Sequence, residues 1–133
     1  MKKIFIIMIA ISSLVGSDIY KDAQTGLMWQ DNGDVVSKKL TWDQSKTYCQ
    51  ELSLGGYNNW RLPSVKELQS IIDKNYDPAI KKEFKHVAPS YYWSNSVHGM
   101  SSKKTAWSIY FKNGTGSNSK TSYTDHVRCV RMY

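Results

Sequence analysis

The chain has 133 residues, with 18 Lys and Arg against 11 Asp and Glu, a formal charge of +7, and 41% apolar residues. That length is one domain's worth of protein. Two of the positive charges belong to a leader: Lys2 and Lys3 precede a nearly unbroken apolar run from Ile4 to Val15, and Val15-Gly16-Ser17 offers small residues for cleavage. Residues 1–17 therefore read as a secretory signal peptide and 18–133 as a single domain. The apolar run is shorter than the roughly 20 residues a bilayer span needs, and no second run follows, so no membrane span is expected after cleavage. Removing Lys2 and Lys3 lowers the formal charge from +7 to +5. For a secreted or periplasmic chain this makes nucleic acid a poor partner and matches the positive field to anionic glycans or envelope polymers.

In chain order, Ile19-Tyr20 and Leu27-Met28-Trp29 flank Thr25-Gly26 and predict two short strands joined by a turn. Asp31 to Lys39 reads as a polar connection. Thr41, with Gln44 three residues on, forms a capping box for a helix whose inward stripe is Trp42, Ser45, Cys49 and Leu52, and Gly55-Gly56 supplies its C-terminal cap. Ser64 with Glu67 starts a second helix carrying Val65, Leu68, Ile71 and Ile72, ending near Asp73. The segment 75–90, with Asp77-Pro78 and Ala88-Pro89, reads as irregular. Tyr91-Tyr92-Trp93 is strand-like, and residues 105–112 set Trp107, Ile109 and Phe111 against Ser108, Tyr110 and Lys112. Asn113-Gly114 signals a tight type I′ turn into a short, polar, edge-like return strand over 115–122. The chain closes with one terminal strand over 123–133, Cys129 pointing inward.

Cys49 and Cys129 are the only cysteines, and an even count in an oxidising compartment predicts one bridge, here tying the first helix to the last strand. Closing a loop of that length is worth about 4.5 kcal/mol in the chain-entropy model. The competing reading, a metal-binding or reactive thiol, calls for closely spaced Cys or His pairs that this sequence lacks. Strands first and last with helices between give an α+β class: two helices packed on a small, mainly antiparallel twisted sheet.

Several blocks together resemble the Lcl C-terminal domain family: Thr25-Gly26-Leu27-Met28-Trp29; Leu40-Thr41-Trp42 through Tyr48-Cys49; Gly56-Tyr57-Asn58-Asn59-Trp60-Arg61-Leu62-Pro63-Ser64 with Glu67-Leu68; Tyr92-Trp93-Ser94-Asn95-Ser96; Ala106-Trp107; and Val127-Arg128-Cys129-Val130-Arg131. That family takes its name from the end domain of a collagen-like bacterial adhesin. The Arg61-Leu62-Pro63-Ser64 and Arg128-Cys129 blocks are also similar to formylglycine-generating, sulfatase-modifying enzymes. The resemblance implies a C-type-lectin-like fold, whose common disulfide agrees with the Cys49–Cys129 pairing. The sequence departs from both sets of relatives. It lacks the closely spaced cysteine pair of the modifying enzymes and the Glu-Pro-Asn, Gln-Pro-Asp and Trp-Asn-Asp motifs of calcium-dependent lectins.

No catalytic constellation assembles. His86, His98 and His126 are far apart and without a nucleophile or carboxylate in recognisable arrangement. Asp31, Asp34 and Asp43 supply only part of a calcium loop, so neither metal nor cofactor is expected. Trp29, Trp42, Trp60 and Trp107 read as core, Tyr91, Tyr92 and Tyr110 as exposed, and Arg61 as a structural side chain bonding loop carbonyls. The functional feature is the lysines in loops and at strand ends. Lys103, Lys104, Lys112 and Lys120, with Tyr110, flank the Trp107 strand and are expected to share a rim that binds an anionic ligand. The sequence thus predicts a non-enzymatic, adhesin-type binding domain for anionic glycans. The alternatives are an envelope protein–protein assembly module and a degenerate relative of the modifying enzymes.

Overall fold

The computed structural model describes residues 18–99 and 104–133; residues 1–17, where a signal peptide is expected, and Lys103 lie outside them. In chain order the elements are β1 (Ile19–Asp22), β2 (Leu27–Gln30), α1 (Asp34–Ser37), β3 (Lys39–Leu40), α2 (Trp42–Glu51), α3 (Val65–Gln69), β4 (Tyr91–Val97), β5 (Thr105–Tyr110), β6 (Thr115–Lys120), β7 (Asp125–His126) and β8 (Val130–Met132). The strands form two sheets, β1-β2-β8 and β3-β7-β4-β5-β6. All strand pairs are antiparallel except β4–β7, which meet in parallel at Tyr92 and His126. The α+β class holds, but two sheets and three helices among the described residues replace the one sheet and two helices predicted.

Strand alternation explains why two sheets are needed. Successive side chains point to opposite faces, and three dipeptides divide between two apolar clusters: Trp29, Tyr92 and Val130 enter one, while Met28, Trp93 and Cys129 enter the other. The first cluster also takes Leu68, Ile71, Ile109 and Phe111; the second takes Trp42, Trp60 and Cys49. The Cys49–Cys129 disulfide forms within the second, both residues at 0% exposure, joining α2 to the residue before β8.

Both capping boxes are present: Thr41 Oγ1 accepts from Gln44 N–H and Ser64 Oγ from Glu67 N–H, with the glutamine and glutamate side chains returning to the cap N–H groups. The helix ends differ from expectation. α2 stops at Glu51, and Gly55 (φ 63°) and Gly56 (φ 83°) instead form a two-residue turn between Leu54 and Tyr57, which exchange hydrogen bonds of 3.1 and 2.9 Å. Positive φ at both positions is what such a turn requires. α3 ends at Gln69 rather than near Asp73. The stretch read as polar connection contains α1, because Val35 is fully buried and draws the chain inward.

The β5–β6 connection is a four-residue loop rather than a tight Asn-Gly turn, and of its residues only Gly114 has positive φ (79°). Phe111 is the cause: fully buried, it donates its N–H to Ser90 O and accepts from Ala79 N–H, so the chain cannot reverse until it has passed the core. β6 lies at the sheet edge as expected but matches β5 in length. The predicted terminal strand divides into β7 and β8, one in each sheet, with Val127, Arg128 and Cys129 crossing between them.

Candidate functional site

The β5–β6 ladder runs in register from Thr105 opposite Lys120 to Tyr110 opposite Thr115, so it has two distinct ends. At the open end Lys104 and Lys120, with Thr105, Thr121 and Ser122, line an open cleft of about 340 Å³. Thr121 fixes the strand end: its N–H donates to Lys104 O at 2.8 Å, and its carbonyl accepts from Trp42 N–H at 3.2 Å, the first residue of α2. No carboxylate lines the cleft, and the sequence carries no Asp or Glu between Glu83 and Asp125. Asp125 itself is buried, and burial holds its carboxyl above the usual range against a hydrogen bond from Ser119 and the charge of Lys39. Two lysines and three hydroxyl-bearing side chains with no carboxylate in the lining give the cleft a positive character.

Lys112 and Tyr110 are not in this cleft. They sit at the turn end, where Lys112 Nζ pairs with both Asp77 oxygens at 2.9 and 3.0 Å and Tyr110 stacks on Tyr91 at 4.5 Å. Six strand pairs at about 3.4 Å per residue put roughly 17 Å between the two ends. The single lysine rim read from the sequence is therefore two separated places, because a hairpin sends the residues flanking a strand to opposite ends.

Tyrosine and tryptophan placement also departs from expectation. Tyr92 is fully buried, its hydroxyl donating to Val35 O at 2.5 Å and accepting from Ala88 N–H at 2.9 Å, whereas Tyr91 is 38% exposed. Trp29, Trp42, Trp60 and Trp93 are buried. The indoles of the last three donate to the carbonyls of Ser94, Tyr57 and Leu40 respectively. Trp107 is only half-buried and meets His98 edge-on at 4.7 Å. The covered face at this end of β5 belongs to Ala106 and Ser108, both at 0% exposure, with Ala106 in the second cluster beside Trp93. Small residues on both sides of Trp107 were the signal that the packed face is not its own.

The arginines and carboxylates are structural. Asp31 accepts from Lys85 N–H at 2.8 Å, His86 N–H at 3.0 Å and Arg128 Nη1 at 3.3 Å, and Arg128 also donates to Gln30 O at 2.6 Å and to His86 O. Both side chains are sealed from water, 3% and 1% exposed. Arg61 bonds a carboxylate rather than loop carbonyls: Glu67 takes its guanidinium at 2.7 and 2.8 Å while also accepting from Ser64 N–H. Arg61 holds the Glu67 carboxyl below its usual range, against burial and with help from Ser64. Asp34 accepts from Tyr48 OH at 2.7 Å, which, after burial, raises the phenol. Asp43 pairs with Lys46.

His86, His98 and His126 occupy three separate settings, against Asp31, Thr105 and Tyr92. Among the described residues no three His, Cys, Asp or Glu side chains are grouped to hold a metal ion, and no helix is long and apolar enough to cross a membrane. A larger open cavity of about 540 Å³ beside α2 mixes Lys38 with Asp43, Glu51, Gln44 and Tyr48, and so has no single charge preference.

The family model of the Lcl C-terminal domain matches residues 18–131. Among solved structures, the chain is similar to the crystal structure of botrocetin, a C-type-lectin-like protein. The TM-score is 0.54 at 11% identity, over 90% of this chain and 99% of that one. No curated protein matches by sequence. At this identity the likeness concerns architecture, and the fold is C-type-lectin-like.

Proposed function

The chain belongs to the Lcl C-terminal domain family, and from that premise we propose that it is a secreted or periplasmic binding domain, not an enzyme, that takes anionic glycans in the Lys104–Lys120 cleft. The observation that carries this reading is that Lys104, just before β5, and Lys120, at the end of β6, line one cleft that also carries hydroxyls and is free of carboxylates. Lys103 precedes Lys104 in sequence and lies outside the described residues. Lys112 and Tyr110, at the far end of the hairpin, serve only as a second contact for a polymer long enough to run along it. The leader over 1–17 would deliver the chain to a compartment where the Cys49–Cys129 bridge persists. A formylglycine-generating activity would need a free thiol, and both cysteines are joined.

The test is retention on a panel of sulfated, carboxylated and neutral glycans across a salt series. Retention on the acidic members should weaken steeply with salt. It should fall when Lys104→Glu and Lys120→Glu are introduced and change little with Lys82→Glu, an exposed reversal elsewhere. Equal losses from all three reversals would assign retention to net charge alone and sink the cleft. An envelope assembly module is the second reading, favoured by Met132 and Tyr133, 68% and 52% exposed at the end of β8. It predicts a stable complex in envelope extracts with no glycan retention.

A further inference from the structure

We propose that Trp107 is a stacking platform for a pyranose ring whose acidic substituent rests on Lys120, on the same face of the hairpin. The ligand class is then a sulfated or uronic-acid-bearing saccharide, rather than any polyanion. This rests on the preceding reading of the cleft and adds the group that would read the sugar itself.

The register supplies the geometry. Thr105 faces Lys120 and Trp107 faces Asn118 across the β5–β6 ladder. Directly opposed residues share a face, and residues two apart on one strand share it too. Trp107, Asn118, Thr105 and Lys120 therefore form one contiguous rectangle on the edge of the sheet, with the Trp107 Cα about 7 Å along the strand from that of Thr105. Lys120 and Thr105 belong to the cleft already described, so the rectangle is its extension along the hairpin.

The side chains are suited to a sugar. Of the five tryptophans, the other four are buried at 4% exposure or less, while Trp107 is half-buried, and its indole N–H bonds no described residue. The ring is also held. His98 meets it edge-on at 4.7 Å and 81°, and His98 is tied to Thr105 by three contacts: N–H to Thr105 O at 3.0 Å, carbonyl from Thr105 Oγ1 at 2.9 Å, and Nδ1 3.2 Å from that hydroxyl. A ring fixed before binding loses little freedom when a ligand arrives. An indole face matches the apolar C–H face of a pyranose, and the exposed Asn118 amide offers a donor and an acceptor for ring hydroxyls. A polyanion without rings would use the lysines and leave the indole wet.

The experiment is acrylamide quenching of tryptophan fluorescence in the processed chain, with a heparin-derived tetrasaccharide and inorganic polyphosphate as probes. With four indoles buried, the quenchable signal reports on Trp107. The tetrasaccharide should protect it and polyphosphate should not. Trp107→Leu should weaken tetrasaccharide binding about five- to tenfold, Trp107→Phe should restore most of it, and polyphosphate binding should change less than about twofold. Quenching on the unmodified chain needs no variant, so it decides the matter even if Trp107→Leu folds poorly. A tetrasaccharide that binds through Lys104 and Lys120 yet leaves quenching unchanged overturns the platform while the cleft stands. Binding of neither probe overturns both readings together.

Discussion

Replacing Asp31 by Asn removes a buried charge from the centre of the last crossing between the sheets. The Asp31 carboxylate takes two backbone N–H groups and the Arg128 guanidinium, at 2.8, 3.0 and 3.3 Å, with the two side chains 3% and 1% exposed. Arg128 keeps its bonds to Gln30 O and His86 O and its position 4.7 Å over the Phe84 ring, so it cannot swing out to water when its counter-charge is lost. Burial already disfavours the charged guanidinium, and the neighbouring Tyr92 and Asp31 offset this. Breaking a buried pair from one side costs about 3–5 kcal/mol, because the surviving charge stays desolvated. Arg128→Met should cost a similar amount for the converse reason. The double variant Asp31→Asn/Arg128→Met should cost at least about 2 kcal/mol less than the two single losses together, since it leaves no orphaned charge. Urea unfolding of the four proteins, read as midpoint and slope, measures each value. Strict additivity, or a single-variant loss under about 1 kcal/mol, would refute the argument that the pair is a sealed electrostatic unit.

Gly114→Ala should destabilise by about 2–3 kcal/mol, because a Cβ there stands 2.8 Å from Ile72 Cγ2 at φ +79°. Gly56→Ala, at φ +83° with nothing within 4 Å, should lose only about 1 kcal/mol of stability, through added backbone strain, and thermal melts of the pair separate steric overlap from conformation. Cys49→Ala/Cys129→Ala should cost up to about 4.5 kcal/mol from freeing a loop of 80 residues, and the unreduced parent should show no labelling by thiol reagents. Burial first, then Lys39, lowers the pKa of His126. The unfolded chain therefore takes up the proton at a higher pH than the folded one, so this component of stability is present above the ordinary imidazole range near 6.5 and is lost as pH falls through the folded value. His126→Gln should flatten that decline, as followed by urea midpoints between pH 7 and 5.

Local chemistry was legible in the chain itself. The Thr41/Gln44 and Ser64/Glu67 boxes start both longer helices where the sequence places them, because a cap is made by residues three apart. The Cys49–Cys129 pairing followed from there being two cysteines, each on an apolar stripe, and the irregular 75–90 segment from its prolines. What escaped depended on partners distant in sequence. Period-two alternation identifies two faces of β5 but not which one is covered at each end, so Trp107 read as core until Ala106 and Ser108 proved to occupy the packed side. Tyr92 reads as exposed in the sequence because its acceptor, Val35 O, lies 57 residues away on a helix the sequence does not announce. The terminal segment carries the pattern of one strand, yet it serves two sheets, since Arg128 must reach Asp31 while Cys129 meets Cys49. The lysines followed the same logic. Their abundance is a property of composition, but only the hairpin decided that Lys104 and Lys120 line one cleft while Lys112 goes to Asp77, because strand pairing joins residues by register and not by nearness along the chain.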